Sequence, residues 1–206
     1  MAIVAKAENR VAVIDTGLDI ESEYYKPFLC KTGHKDLTGT GLQDEEGHGT
    51  EIVNLIIKNS ESTNFCLVIY KFFSRKKRTE SSDFLMQALL LIAKEKITLV
   101  NLSLSGSGYL KEEDEYFASN RFITFIAAAG NDGVNLDFQP RYPASYDYPN
   151  IVVVGALDKY TSQKIPISNY GRRVQHWEKA EATSYATAIK TGKVIKERFG
   201  RTDGLF

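Results

Sequence analysis

Four short segments of this chain carry side chains that could do chemistry together. In Val11-Ala-Val-Ile-Asp15-Thr-Gly17 a carboxylate ends a short, β-branched apolar run. In Glu46-Gly-His48-Gly-Thr50 a histidine stands between two glycines at the start of a helical segment, which leaves room for a second chain to come close. Ala182-Thr-Ser184-Tyr-Ala-Thr-Ala188 opens the last helical segment with a serine, where unpaired N–H groups and a partial positive field favour a developing negative charge. Ala127-Ala-Ala-Gly130-Asn131-Asp-Gly133 follows another apolar run and offers a side-chain amide. Each has an ordinary structural use: a turn-capping Asp, a solvated His, a Ser or Thr N-cap, a Gly-Asn turn. Taken together, a carboxylate, an imidazole, a hydroxyl and an amide are the parts of nucleophilic acyl transfer, with a base to take the hydroxyl proton and a donor to hold the oxyanion.

The elements that must position these residues are legible as short buried runs. Val11–Ile14, Phe65–Tyr70, Ile97–Val100 extending through Leu102, Phe122–Ile126 and Ile151–Val154 read as buried strands. Between them, His48 to about Lys58 has apolar residues at 52, 53, 55, 56 and 57, and Ser82–Lys96 opens on Ser-Ser-Asp and has them at 84, 85, 88, 89, 92 and 93. Thr183–Arg198 is a third helical segment. This alternation predicts an α/β fold of three layers, α/β/α, with a mostly parallel central sheet, and ligands then bind outside the carboxyl ends of the strands.

The 206 residues, 43% hydrophobic and 25% charged, suit one domain over 1–206. Twenty-six basic residues balance 26 acidic ones, so neither nucleic acid nor an anionic membrane is expected as a partner. No apolar run approaches the ~20 residues that span a bilayer. Met1–Arg10 lacks the apolar stretch and cleavage site of a secretory signal, and a cytoplasmic location is expected. Cys30 and Cys66 have no spacing that argues for zinc and little that argues for a disulfide; Cys66 reads as a small core residue.

The chain order Asp, His, Ser is that of subtilisin, as against His-Asp-Ser in chymotrypsin and Ser-Asp-His in the α/β-hydrolases. With Val-Ile-Asp15-Thr-Gly, Gly-His48-Gly-Thr, Thr-Ser184-Tyr-Ala and Ala-Ala-Gly130-Asn131 as its motifs, the sequence resembles the subtilisin-like serine peptidases, the subtilases, over about residues 11–198. Asn101-Leu-Ser-Leu-Ser105-Gly106 resembles the family strand that pairs with substrate, and Tyr142-Pro-Ala144, Ile151-Val-Val-Val-Gly155-Ala and Ser168-Asn-Tyr-Gly171 match later family segments. The resemblance implies a serine endopeptidase with a triad of Asp15, His48 and Ser184 and with Asn131 in the oxyanion hole. It also implies a peptide or protein substrate lying beside Ser103, Leu104, Ser105 and Gly106, near Ala128, Gly130 and Arg141, and no cofactor. Two other readings stay open. One is a subtilase-fold protein that binds peptide without cutting it. The other is a dimeric aspartic peptidase built on Asp15-Thr-Gly17, which needs two carboxylates sharing a proton.

Several positions depart from the family pattern. Ala182 stands where Gly usually precedes Thr-Ser, Ala188 where Pro commonly follows the nucleophile, Glu51 where His often follows the His motif, and Ser105 where the substrate strand carries Gly. A methyl at 182 could crowd the approach or demand φ < 0, but Ala is the smallest change there and activity is expected to survive it. Arg141, near the floor of the specificity pocket by resemblance, could meet an acidic substrate side chain or be paired with Asp132 or Asp137. Only 21 residues separate His48 from Tyr70, too few for the calcium loop of many relatives, and Asp44-Glu-Glu46 reads as a solvated turn, so no metal site is expected. Lys71 with Arg75-Lys-Lys-Arg78 reads as a solvated loop. With no pro-segment expected ahead of Asp15, the chain is expected to fold unaided or to be completed by a regulatory partner, and to have narrow specificity.

Overall fold

The computed structural model describes residues 9–200 apart from residue 63, and residues 78–81 by their backbone alone. The five expected strands form as β1 (Arg10–Asp15), β3 (Cys66–Lys71), β4 (Leu99–Leu102), β5 (Thr124–Ala128) and β6 (Ile151–Leu157). Two more were not anticipated: β2 (Lys35–Asp36), only two residues long, and β7 (Val174–Lys179), a polar edge strand with a single buried side chain. The sheet runs β2-β3-β1-β4-β5-β6-β7 and every pairing is parallel.

Its strands read as unbroken apolar runs because both faces are covered. Along β1, Val11 and Val13 pack with Ile52, Val53 and Ile56 of α1 (His48–Ser60) and with Ala186, Val194 and Ile195 of α4 (Thr183–Phe199). Ala12 and Ile14 face the other way, toward Leu85, Leu89 and Ile92 of α2 (Ser81–Lys94) and Tyr116 and Phe117 of α3 (Lys111–Ser119). Each fully buried Val, Ile or Leu side chain stabilises this arrangement by about 1.5–3 kcal/mol. The helix α3 carries no sequence signature of period 3.6, since Lys-Glu-Glu-Asp-Glu makes up its first five residues. It forms because Tyr116 and Phe117 are buried and three acids occupy its first turn, where the helix dipole favours them.

Strand order turns at β1, with β3 on one side and β4 on the other. The carboxyl ends of β1 and β4 therefore border the crevice where a ligand is expected in such sheets. Asp15 is the last residue of β1, and the segment after β4 begins at Ser103.

Two expectations are corrected here. Cys30 and Cys66 form a disulfide, with Cα atoms 4.8 Å apart. Their separation of 36 residues carries no pattern; the pairing arises because the loop at Leu29 runs parallel to β3, with Cys30 N–H donating to the Leu67 carbonyl at 3.0 Å. Closing a loop of that length stabilises the fold by about 2–4 kcal/mol. Reductant, or Cys30→Ala, should lower the urea midpoint accordingly; an unchanged midpoint would show that the bridge adds nothing. The basic stretch is not a uniformly solvated loop either. Lys71 is buried at the end of β3, its Nζ donating to the Gln43 carbonyl at 2.7 Å. Arg75 and Lys76 pair with Glu46 and Glu45 at 2.5 and 3.0 Å, and the side chain of Arg78 lies outside the described residues.

Candidate active site

Asp15 ends β1 almost wholly buried, and its Oδ1 accepts hydrogen bonds from the Thr16 amide at 2.8 Å and from His48 Nδ1 at 2.7 Å. The His48 ring is about one-third exposed, so one edge is held by the carboxylate while the rest stays open. Burial alone would push the imidazole pKa down; the Asp15 hydrogen bond and the charges of Asp15 and Asp44 outweigh it and hold it above the ordinary histidine value.

Asp44 is the residue that sequence reading misplaced. It is half-buried rather than solvated, and it ties the Asp15 and His48 loops together. Its Oδ1 accepts from Thr16 Oγ1 at 2.8 Å and from the Gly47 amide at 3.0 Å; its Oδ2 accepts from the Thr50 amide at 2.8 Å and the Thr50 hydroxyl at 2.7 Å. Helix α1 has Gly47 at its N-cap and no side chain there, so Asp44 supplies the missing acceptor from four residues before His48. Burial pushes its carboxyl up, but the Thr50, Thr16 and Glu46 hydrogen bonds prevail and hold it below the usual range. The fit between the loops is close: the Gly49 amide donates to Thr16 Oγ1 at 2.8 Å, and a Cβ at Gly49 would collide with the Gly17 carbonyl oxygen.

Ser184 stands in the first turn of α4. Ala182, at the N-cap, has φ −152° and ψ 157°, extended backbone that any residue adopts, so its methyl brings no strain. The helix receives its cap from Asn131, whose Oδ1 accepts from the Thr183 amide at 2.9 Å and the Thr183 hydroxyl at 3.0 Å. Asn131 Nδ2 makes no hydrogen bond among the described residues, and Asn131 and Ser184 line one cavity. Beneath them runs a buried polar relay: Thr191 Oγ1 donates to Asn101 Oδ1, Asn101 Nδ2 to Ser103 Oγ, and Ser103 Oγ to the Ser184 carbonyl, at 2.9, 2.9 and 3.0 Å. The Ser184 hydroxyl donates to the Ser103 carbonyl at 3.2 Å. Tyr185, the next residue, stacks on the His48 ring with centroids 6.2 Å apart, which brings the histidine and serine segments side by side.

The cavity beside Ser184, about 440 Å³, is walled by Ser103, Leu104, Ser105, Gly106, Ala128 and Arg141 among others. These are six of the seven residues expected around a substrate. Ser103 turns its hydroxyl inward, as above. Gly130 is the exception: it is buried behind the wall, with φ +99°, its amide donating to Thr183 Oγ1 at 3.2 Å. A side chain there would collide with Asn169 Nδ2, so this glycine serves to seat Asn131. Arg141 Nε donates to Asp132 Oδ2 at 2.9 Å, so the guanidinium reaches the cavity already paired. Burial pushes the Asp132 carboxyl up, but Arg141 and Asn169 hold it below its usual value. Among the described residues no group of three or more His, Cys, Asp or Glu side chains could hold a metal ion, and no helix is long and apolar enough to cross a membrane.

The model of the subtilase family matches residues 7–196, and the chain belongs to that family of serine peptidases. It is similar to subtilisin-like protease 2 of Plasmodium falciparum, 25% identical over 190 residues, which covers 81% of this chain and 14% of that protein. It is also similar to a thermophilic serine proteinase of Bacillus sp. (strain AK1), 28% identical over 180 residues, covering 79% of this chain and 41% of the other. The chain thus spans less than half the length of these relatives. Among solved structures, a lanthipeptide protease shares the fold, with a TM-score of 0.77 at 19% identity over 95% of this chain and 78% of that one.

Proposed function

We propose that this chain is a serine endopeptidase in which Ser184 is the nucleophile, His48 the general base and Asp15 the residue that holds the imidazole. The observation that carries the reading is the 2.7 Å hydrogen bond from His48 Nδ1 to buried Asp15, made on the same edge of the sheet as Ser184 and Asn131. Because Nδ1–H is committed to the carboxylate, Nε2 is the free, basic nitrogen. The Ser184 hydroxyl turns from the Ser103 carbonyl to that nitrogen and attacks the scissile carbonyl as His48 takes its proton. Catalytic hydrogen bonds often close only once substrate is bound. The oxyanion is received by Asn131 Nδ2 and the Ser184 amide, an N–H of the first helical turn that has no intrahelical partner. His48 then returns the proton to the leaving amine, and water repeats the sequence on the acyl-enzyme.

Asn131→Ala should lower kcat by about 10²–10³-fold, the cost of losing one oxyanion donor, with a much smaller change in KM. Equal kcat values would remove Asn131 from the mechanism. In the cavity beside Ser184 the charge of Arg141 is already partly neutralised by Asp132, which weakens the pull on an acidic substrate side chain and leaves a neutral one unaffected. We assign the cavity a neutral side chain and the enzyme a narrow specificity suited to processing a particular peptide or protein. The disulfide favours an oxidising compartment over the cytoplasm.

The 3.2 Å contact of the Ser184 hydroxyl with Ser103 supports a second reading, a peptide-binding protein that does not cut. A fluorophosphonate probe separates the two. Labelling of the folded protein at Ser184, together with products in a peptide-library digest, is the expected result. A folded protein that resists the probe and leaves every peptide intact would leave only the binding reading.

A further inference from the structure

Asn101 is fully buried at the middle of the sheet, between Val13 of β1 and Ile126 of β5. Those two neighbours belong to the apolar core under α1 and α4, and Asn101 reaches toward α4 as well, with Oδ1 2.9 Å from Thr191 Oγ1. A valine or isoleucine would suit such a position in a sheet covered on both faces. A primary amide there costs free energy unless its groups are bonded. What it bonds therefore accounts for its presence.

The bonds run in one direction. Asn101 Nδ2 donates to Ser103 Oγ. A serine hydroxyl has one proton to give, and with its oxygen already accepting from the amide that proton goes to the Ser184 carbonyl, 3.0 Å away. Ser184 answers with its own hydroxyl on the Ser103 carbonyl. The end of β4 and the first turn of α4, 81 residues apart, are thus fastened by two reciprocal bonds. Asn101 orients the donor in the first of them, yet it does not line the cavity beside Ser184.

Two residues of that turn are held from different sides. Asn131 takes the Thr183 amide and hydroxyl, and Ser103 takes the Ser184 carbonyl. Without the second hold the turn can swing about the first, and the Ser184 hydroxyl and amide move together. Misplacing reacting groups by ~1 Å costs up to about 10²-fold in rate.

We propose that Asn101 is a positioning residue for the reaction: through the Ser103 hydroxyl it sets the first turn of α4, and with it the places of the Ser184 hydroxyl and amide. The effect on rate rests on the peptidase reading; the effect on the helix does not, and the experiment reads both. Asn101→Val takes away the amide and leaves its neighbours bonded, since Ser103 and Thr191 keep acceptors in the Ser184 and Thr187 carbonyls. The thermal midpoint should therefore stay within about 3 °C of the wild type. kcat should fall roughly tenfold with KM within about twofold, because no group that touches substrate has changed. Ser103→Ala should lower kcat at least as far. The double variant should lie no more than about twofold below Ser103→Ala, since both changes cut the same path. Amide exchange reads the helix directly. The N–H groups of Thr187 and Ala188, which bond the Thr183 and Ser184 carbonyls within α4, should lose about tenfold in protection in Asn101→Val, while Val194 and Ile195 keep theirs. Asn101→Ala, which only removes atoms, is the second variant and should show the same split of kcat from KM and the same local loss of protection. Wild-type kcat and protection in these variants, or losses from the two single changes that multiply in the double one, would overturn the proposal. Faster exchange in the first turn of a protein that neither reacts with a fluorophosphonate nor cleaves peptide would support the positioning and count against the peptidase.

Discussion

Alanine at Ser184 is expected to lower kcat by about 10⁶-fold, the scale of nucleophile loss in subtilisin, with KM within a few-fold of the wild type. In the proposed mechanism this hydroxyl forms the acyl-enzyme, so its loss removes the nucleophile. What survives is the binding of substrate and oxyanion by Asn131 and the helix amide, which leaves roughly 10³–10⁴-fold over water. The fold should hardly register the change. Ser184 Oγ makes one hydrogen bond, to the Ser103 carbonyl, and the cap of α4 comes from Asn131. A stability loss of no more than about 1 kcal/mol is expected. Identical circular dichroism with abolished turnover is the supporting result; a variant that keeps even a hundredth of the activity would mean that another residue attacks. An aspartic mechanism through Asp15 predicts that outcome, with inhibition by pepstatin and an acidic optimum.

Alanine at Asp15 should be nearly as damaging, lowering kcat by about 10⁴-fold, again the scale seen in subtilisin. The carboxylate fixes which imidazole nitrogen is the base and stabilises the imidazolium as it forms. It should also move the pH profile. The reaction needs neutral His48, so the rate falls as pH drops through the imidazole pKa. In the wild type burial opposes, and Asp15 with Asp44 overcomes, so the acidic limb lies above pH 6.5, the ordinary histidine value. Without Asp15 the desolvation remains and its largest counterweight is gone, so the limb of the residual activity should move to lower pH. A limb that stays in place would mean that His48 does not set it.

The segments of the proposed triad were legible because each is local: an acid at a strand end, a histidine between glycines, a serine opening a helix. So were the five apolar strands and three amphipathic helices, whose periods are written in consecutive residues. What stayed hidden depends on partners distant in sequence or on backbone conformation. Asp44 sits in a run of three acids and looks solvated until Thr16, 28 residues away, is brought against it. The cap of α4 comes from Asn131, 52 residues before Thr183. The cysteines meet only because a loop runs beside β3. Arg141 had two acids within reach in the sequence, and only the folded chain selects Asp132 over Asp137, which pairs with Arg172 instead. Ala182, a departure from the family pattern, is accommodated because its backbone is extended.

In the proposed mechanism the single amide of Asn131 has two engagements, its oxygen on the first turn of α4 and its nitrogen on the oxyanion. A mutation that removes it therefore has a double signature, a slower enzyme and a lower melting temperature. Ser184 carries no such tie. The chain should thus tolerate silencing at Ser184 better than at Asn131, and an inactive but sturdy form, such as a substrate trap, is expected from Ser184→Ala.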